Sequence, residues 1–105
     1  MALEATQIDD SIRDWLRLAS NLRELDLSWT ACSDETISAI AGHSNLQTLW
    51  VTGSKVTDAS IPSFIKLPAL RSLDVQRTNI TAAGLAELKK RRPDCKINPL
   101  QLRDQ

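Results

Sequence analysis

Thiol and imidazole side chains, the groups best suited to nucleophilic catalysis near neutral pH, are few in this sequence and lie far apart. The chain has two cysteines and one histidine, which are Cys32, Cys95 and His43. A cysteine nucleophile needs a neighbouring base, and a metal site needs closely spaced ligands such as the pair in C-x-x-C. Neither spacing occurs here, and the sequence has no glycine-rich phosphate loop. These residues predict a protein without catalysis, bound metal or cofactor.

The most conspicuous charge run is KKRR, from Lys89 to Arg92. A nucleic-acid-binding patch would combine such a run with aromatic residues and a basic surface. Here thirteen basic residues are balanced by thirteen acidic ones, so the formal net charge is zero. This balance argues against nucleic acid or an anionic membrane as the main partner. We expect the run to form the solvated last turn of a helix, where positive charge complements the helix dipole.

A tryptophan stands in the middle of the strand-like segment TLWVT, residues 48–52. Successive side chains of a strand point to opposite faces. If Leu49 and Val51 face a core, Trp50 points to the opposite face together with Thr48 and Thr52. The role of such a large side chain there depends on the elements that position it.

Those elements follow from an internal repeat of 24 residues. Three segments align without gaps, beginning at Asn21, Asn45 and Ala69. The first half of each reads L-x-x-L-x-[L/V] and ends in the period-two alternation of a strand, whereas the second half spaces its apolar residues at helical intervals. Each unit is therefore predicted to be a strand, a loop and a helix.

The predicted helices have start signals and one interruption. Ser33, Thr57 and Thr81 precede the helical halves, and their side chains are suited to capping helix N-termini. Pro62 lies in the second helical half, where proline removes a backbone hydrogen bond. We expect the second helix to be shorter, tighter or shifted to begin near Pro62.

The repeat pattern L-x-x-L-x-L-x-x-[Thr/Ser]-x-[Val/Ile/Cys]-[Thr/Ser] resembles a leucine-rich repeat over roughly residues 21–97. The segments TNITAAGLAELKKRRPDCKI and SKVTDASI more narrowly resemble short bacterial repeats with a T-D-x-G-L segment, similar to the ribonuclease-inhibitor-like and cysteine-containing subclasses. The ninth position of the family is usually Asn or Cys, which bonds the backbone of the neighbouring unit. Here that position holds Thr30, Ser54 and Thr78. We expect these hydroxyls to form a similar but weaker lateral ladder.

The resemblance implies an α/β fold, a right-handed solenoid with a parallel concave sheet of about four short strands and helices on the convex side. Exposed ends of such an array need caps. The expected organisation is an N-terminal capping helix in residues 1–20, three repeats plus a terminal strand in 21–97, and a C-terminal tail in 98–105. One helical stripe supports the cap, made of Ile8, Ile12, Trp15, Leu16 and Ala19.

The cysteines and the histidine fit this organisation as structural residues. Cys32 occupies the same column as Val56 and Ile80, so we expect a buried thiol. Cys95 lies near the open end of the array, where we expect partial exposure without activation. His43 falls near the C-terminus of the first helix. Since the sequence shows neither a signal peptide nor a membrane-spanning run, we expect a cytoplasmic protein with free thiols.

The outward strand positions and the loops after them form the candidate partner-binding surface. An aromatic residue among polar and charged ones is typical of a binding hot spot, and Trp50 is the centre of this set. The alternative is that Trp50 only covers the neighbouring strands. Trp29 either extends the surface or closes over the edge of the first unit, and Arg77 either grips a partner carboxylate or pairs internally. The candidate residues are Asp26, Ser28, Trp29, Thr48, Trp50, Thr52, Asp74, Gln76 and Arg77.

The resemblance implies protein binding, because leucine-rich repeat proteins mostly act as scaffolds, receptors and recognition domains. We expect a non-catalytic interaction module that binds a protein partner through the concave strand face. Two alternatives stay open. One is a self-assembling structural protein, for example a homodimer, that pairs through open sheet edges or through the concave face. The other is the recognition fragment of a larger multidomain protein.

Overall fold

Short strands and helices alternate along the chain in three repeat units. The computed structural model describes residues 13–18 and 21–98, without the side chains of Arg13, Trp15 and Arg17. The helices are α1 Arg13–Leu18, α2 Asp34–Ile40, the 3₁₀ helix Asp58–Ser60, α3 Ile61–Ile65 and α4 Ala82–Arg91. The strands are β1 Glu24–Asp26, β2 Thr48–Trp50, β3 Ser72–Asp74 and β4 Lys96–Asn98. The predicted α/β class and strand-loop-helix order are confirmed.

The four strands form one parallel sheet in the order β1-β2-β3-β4. The register follows the repeat, since Leu25 pairs with Leu49, Leu49 with Leu73, and Leu73 with Ile97. Because strand side chains have a period of two, this register places every leucine of the pattern on one face. The terminal strand expected at the end of residues 21–97 is β4, which extends one residue further, to Asn98.

The core lies between that face of the sheet and the helices. The central leucines of the strands are fully or almost fully buried, and so are the apolar residues that face them from α2, α3 and α4, among them Ile37, Phe64 and Leu88. Cys32 has no exposed surface, as its column in the repeat predicted. Parallel strands buried in this way are stabilised mainly by removal of apolar surface from water.

The second unit is where the helix changes form. Its helical half is divided into the 3₁₀ helix Asp58–Ser60 and the five-residue α3, which has Pro62 in its first turn. Proline is tolerated there because the first N–H groups of a helix have no intrahelical acceptor. The predicted shortening and tightening near Pro62 is therefore confirmed.

The expected lateral ladder of hydroxyls is wrong. Thr30, Ser54 and Thr78 each donate to a carbonyl three residues back in their own unit, with oxygen–oxygen distances of 2.7 Å. These short side chains find their nearest acceptor within the turn, since the neighbouring strand lies about 5 Å away. The hydroxyls therefore close each turn and do not link the units.

Aspartates link the units instead. Asp34 accepts from the backbone N–H of Thr57 at 2.8 Å, from the Thr57 hydroxyl at 2.6 Å and from the Ser60 hydroxyl at 2.5 Å. Asp58, 24 residues later, accepts from the N–H and hydroxyl of Thr81 at 2.9 and 2.6 Å. We call these two carboxylates and their partners the aspartate ladder.

Thr57 and Thr81 also cap helices, so each joins two units and fixes a helix start. The Thr57 hydroxyl accepts from the N–H of Ala59, and the Thr81 hydroxyl accepts from the N–H of Gly84, both at 3.1 Å. Ser33 occupies the N-cap position of α2 but makes no side-chain cap bond. Capping was therefore predicted correctly for the second and third units and wrongly for the first.

One residue of the KKRR run is not a solvated charge. The side chain of Arg92 is only 11% exposed. Its guanidinium donates to the carbonyl oxygens of Leu67 at 2.7 Å and Leu70 at 2.8 Å, and to Ile65 at 3.2 Å, all beyond or at the end of α3. A buried guanidinium with several carbonyl acceptors caps the end of the neighbouring helix, whereas Lys90 and Arg91 are exposed as expected.

The first helix docks on the first unit through one buried leucine and one histidine. Leu16 has no exposed surface, and the Nε2–H of His43 donates to the Leu16 carbonyl at 2.6 Å. His43 is itself 6% exposed, so its ring is a structural link between α1 and the end of α2. The side chain of Trp15, and Ile8, Ile12 and Ala19 of the predicted stripe, lie outside the described part of the chain.

Candidate functional site

The outward face of the sheet carries two rows of side chains, each with one residue from every strand. The strand register places Glu24, Thr48, Ser72 and Lys96 in the first row, and Asp26, Trp50, Asp74 and Asn98 in the second. We call these eight residues the strand face. Trp50 is half-buried between its two aspartate neighbours, so part of the indole covers the strands and part is available.

The two aspartates of the strand face are engaged in local turns. A carboxylate oxygen of Asp26 accepts from the N–H of Ser28 at 2.9 Å. Asp74 accepts from the N–H of Gln76 at 3.0 Å and from the Gln76 side-chain amide at 3.1 Å. Such turns fix the direction in which the chain leaves the strand. These carboxylates therefore have a structural use that is independent of a partner.

The predicted exposure of Ser28 is wrong, because this residue is only 7% exposed. The strand ends at Asp26, so the alternation of side chains does not extend to this position. A serine side chain is also short, whereas the longer Gln76 at the equivalent position of the third unit is exposed. Thr48 and Thr52 are half-buried.

A left-handed backbone conformation recurs once in each unit, three residues after the end of the strand. The residues are Trp29 with φ of 60°, Gly53 with φ of 71° and Arg77 with φ of 56°. Glycine adopts this conformation without steric cost, whereas a residue with a side chain is strained by about 1–2 kcal/mol. The fold would accept glycine at all three positions, so the tryptophan and the arginine are held at a cost to stability.

The Trp29 side chain packs against Gly53. A Cβ atom built on Gly53 would overlap the Trp29 ring, with its Cδ2 atom 2.8 Å away. The indole from the first unit thus reaches across to the second, while 51% of the residue surface stays exposed. Trp29 therefore both covers the neighbouring turn and presents a large apolar surface.

Arg77 is exposed and forms no side-chain hydrogen bond or ion pair with any residue in the described ranges. Internal pairing with Asp74 is not observed, because both oxygens of that carboxylate bind Gln76. Lys55, which we did not predict as a site residue, is likewise exposed and unpaired within the described chain. The signal for Lys55 in the sequence is that it lies in a loop without acidic residues.

The residues with potential chemistry are placed apart and buried. Cys95 is 8% exposed, so the expected partial exposure is wrong. Cys95 belongs to the hydrophobic core, and burial raises the pKa of its thiol, against a smaller opposing effect of Arg92. A thiol with a raised pKa is a poor nucleophile at neutral pH. Among the residues that the structure describes, no cluster of histidine, cysteine and carboxylate side chains has the arrangement of a metal site.

A groove of about 460 Å³ lies on the helical side of the molecule, between α3 and α4. Ile61, Pro62 and Ile65 form its apolar wall, and charged residues of both signs form its rim. Asp58 and Gly84 at one end belong to the aspartate ladder, because glycine leaves room there for the Asp58 carboxylate. This groove contains none of the predicted binding residues.

Comparison with known proteins agrees with the geometry. A leucine-rich repeat family model matches residues 19–41 and 66–89, which are the first and third units. Together with the 24-residue register of the four parallel strands, these matches support a leucine-rich repeat protein. No curated protein matches the chain significantly. Leucine-rich repeats generally mediate protein–protein interaction and are typically not catalytic.

None of the helices in the described ranges has the length and apolar character needed to cross a lipid bilayer.

Proposed function

We propose that this chain is a non-catalytic module that binds a protein partner through the strand face, centred on Trp50 and extended by Trp29. In this proposal the sheet curves as the concave side of a right-handed solenoid, and the helix in residues 1–20 caps its first unit. The observation that carries the proposal is the position of the two tryptophans outside the hydrophobic core: Trp50 is half-buried on the outward side of β2, and Trp29 is exposed in the loop after β1. Aromatic residues that keep part of their surface accessible are typical of binding surfaces.

The strand face has the mixed chemistry that such surfaces need. Trp50 supplies apolar area, the half-buried hydroxyls of Thr48 and Thr52 can donate and accept hydrogen bonds, and Gln76 adds an exposed amide. The hydrogen bonds of Asp26 and Asp74 to backbone N–H groups two residues later fix the backbone that carries these groups. A rigid surface loses little conformational entropy when a partner binds.

Photo-crosslinking tests this proposal directly. A photoreactive amino acid placed at the exposed position Gln76 is expected to capture a protein partner, and Trp50→Ala is expected to abolish that capture. The matched control places the same group at Ala86, which is exposed on α4. Leu18→Ser, which removes an apolar side chain that is 85% exposed on α1, controls for the general loss of surface apolarity.

Equal capture from Gln76 and Ala86, or capture that survives Trp50→Ala in a protein shown to be folded, would contradict the strand face as the binding site. Urea unfolding of each variant is the check on folding, because the buried part of the Trp50 side chain contributes to packing.

A further inference from the structure

The loops that follow the strands combine an exposed aromatic residue with basic residues that are unpaired within the described chain. The inference drawn from them rests on the proposed function and concerns the chemistry of the partner. These loops are residues 28–33, 52–57 and 76–81, and we call them the loop edge. They contain the bases Lys55 and Arg77 and no acidic residue. They also contain Trp29, the described aromatic residue with the larger exposed surface.

Aspartates lie on both sides of the loop edge, and each of them accepts at least one hydrogen bond within the chain. Asp26 and Asp74, before the loops, bind their own turn N–H groups. Asp34 and Asp58, after the loops, bind the aspartate ladder. The ionic groups of this edge that are left for a partner, among the residues described, are therefore the ammonium of Lys55 and the guanidinium of Arg77.

Backbone strain indicates that the side chains at this edge are used. Trp29 and Arg77 keep the left-handed conformation that Gly53 adopts freely in the unit between them. Strained non-glycine residues cluster at functional sites, where the side chain has a use that compensates for the strain. Here two of three equivalent positions are strained, and both side chains are exposed.

We propose that the loop edge recognises a segment of a protein partner in which an apolar side chain is accompanied by one or two carboxylates. The apolar side chain packs on the exposed face of the Trp29 indole, which Gly53 holds in place. Arg77 binds a carboxylate, for which its planar guanidinium offers two parallel donors, and Lys55 adds a second positive charge.

The spacing follows from the sheet. The Trp29 ring lies over the second unit and Arg77 belongs to the third, so the ring and the backbone of Arg77 are about one strand spacing, roughly 5 Å, apart. An extended peptide places the matching apolar and acidic side chains within about three residues of each other.

The flanking aspartates exclude a polyanion as the preferred ligand. Four carboxylates around two cations repel a chain of phosphates, even though their oxygens are hydrogen-bonded. Single-stranded nucleic acid, which also stacks on aromatic side chains, requires a continuous positive groove. A protein segment with isolated carboxylates fits this distribution of charge better.

Selection from a displayed library of random twelve-residue peptides tests the proposal, with the full chain as the immobilised target. Enriched peptides are expected to contain Asp or Glu within about three residues of an apolar side chain. The variant Lys55→Glu with Arg77→Glu is expected to bind these peptides roughly tenfold more weakly and to enrich basic residues instead. The control Lys66→Glu with Lys90→Glu makes the same change in net charge on exposed lysines of the helical side, and its affinity is expected to stay within about twofold.

The outcomes separate this inference from the proposed function. The inference about the loop edge would be overturned by enriched peptides without acidic residues whose binding is lost in Trp50→Ala and unchanged in both charge-reversal variants. That outcome would still support the strand face as the binding site. Tighter binding of the oligonucleotide dT12 than of any selected peptide would overturn it in favour of nucleic acid. No enrichment above an empty matrix, together with no capture from Gln76, would overturn both proposals.

Discussion

At the scale of single residues, the position after each strand combines strain with exposure. Trp29, Gly53 and Arg77 share one column of the repeat and one left-handed conformation. In the first and third units the conformation costs stability, and in the second unit glycine removes that cost. The same column therefore shows what the fold prefers and where this chain departs from the preference.

Arg77→Gly is expected to raise the free energy of unfolding by about 0.5–1 kcal/mol, because relief of strain exceeds the entropy that glycine adds to the unfolded chain. The reverse change at the equivalent position, Gly53→Ala, is expected to lower it by about 2–4 kcal/mol, since the new Cβ is strained and also overlaps the Trp29 ring. Urea unfolding measures both. A destabilised Arg77→Gly variant would show that the side chain has a packing role that the structure does not reveal.

Cys95 makes a pH-dependent prediction whose sign follows from its burial. Because burial raises the pKa of the thiol, the folded state favours the protonated form. The resulting stability is present below the ordinary pKa of a cysteine and is lost as the pH rises through the raised pKa of the folded protein. We expect the free energy of unfolding to fall at alkaline pH more steeply in the wild type than in Cys95→Ala.

A thiol reagent provides the second measurement for Cys95. Labelling of the folded protein at neutral pH is expected to be slow and to accelerate with urea, because the thiol must first become exposed. Rapid labelling of one thiol per chain without denaturant would contradict the burial of Cys95, since Cys32 has no exposed surface.

At the scale of elements, the aspartate ladder replaces the lateral bonds that leucine-rich repeats usually make through Asn or Cys. Each carboxylate satisfies the N–H and hydroxyl of a threonine in the next unit, and that hydroxyl accepts from the helix behind it. The third unit has Ala82 at the corresponding position. The ladder consequently has two steps, from the first unit to the second and from the second to the third.

The two steps are matched variants of one interaction and should differ in strength. Asp34 accepts three hydrogen bonds and is half-buried, whereas Asp58 accepts two and is exposed. We expect Asp34→Ala to lower the free energy of unfolding by about 2 kcal/mol and Asp58→Ala by about 1 kcal/mol. Equal losses in urea unfolding would show that burial and the third bond, from Ser60, add nothing.

At the scale of the whole molecule, the two ends of the sheet bear on the alternative of self-assembly. The N–H groups of Leu27, Val51 and Val75 each donate to the next unit. The equivalent position after β4 is Pro99, which has no N–H, and the equivalent ladder position in the third unit is Ala82, which has no carboxylate. Both substitutions remove groups that a further unit, or a second copy, would need at this end.

We therefore expect a monomer of 11.7 kDa by size exclusion with light scattering. A dimer that Trp50→Ala dissociates would support self-association through the strand face. A dimer that survives Trp50→Ala would indicate pairing through a sheet edge.

Much of the fold could be predicted because the three aligned units show the same residue pattern at equivalent positions. Three aligned copies fix which residues face the core, so the inward direction of the leucines and the burial of Cys32 followed from the repeat, and the parallel sheet followed from the resemblance to leucine-rich repeats. Pro62 predicted the change of helix form in the second unit, because proline has no backbone N–H to donate within a helix. The errors fell on polar residues, whose partners depend on distances that the spacing does not contain.

The sequence by itself determined the class of protein and the side of the sheet on which Trp50 lies, because periodicity acts through backbone geometry that every unit shares. Only the tertiary structure decided which polar groups meet. In the structure, Asp34 and Asp58 form the ladder and Ser28 is buried. The Trp29 ring packs on Gly53, and Arg92, which was expected to be a surface charge, caps a helix. Such contacts join neighbouring units, and the direction of each side chain and its distance to a partner are set only when the units pack.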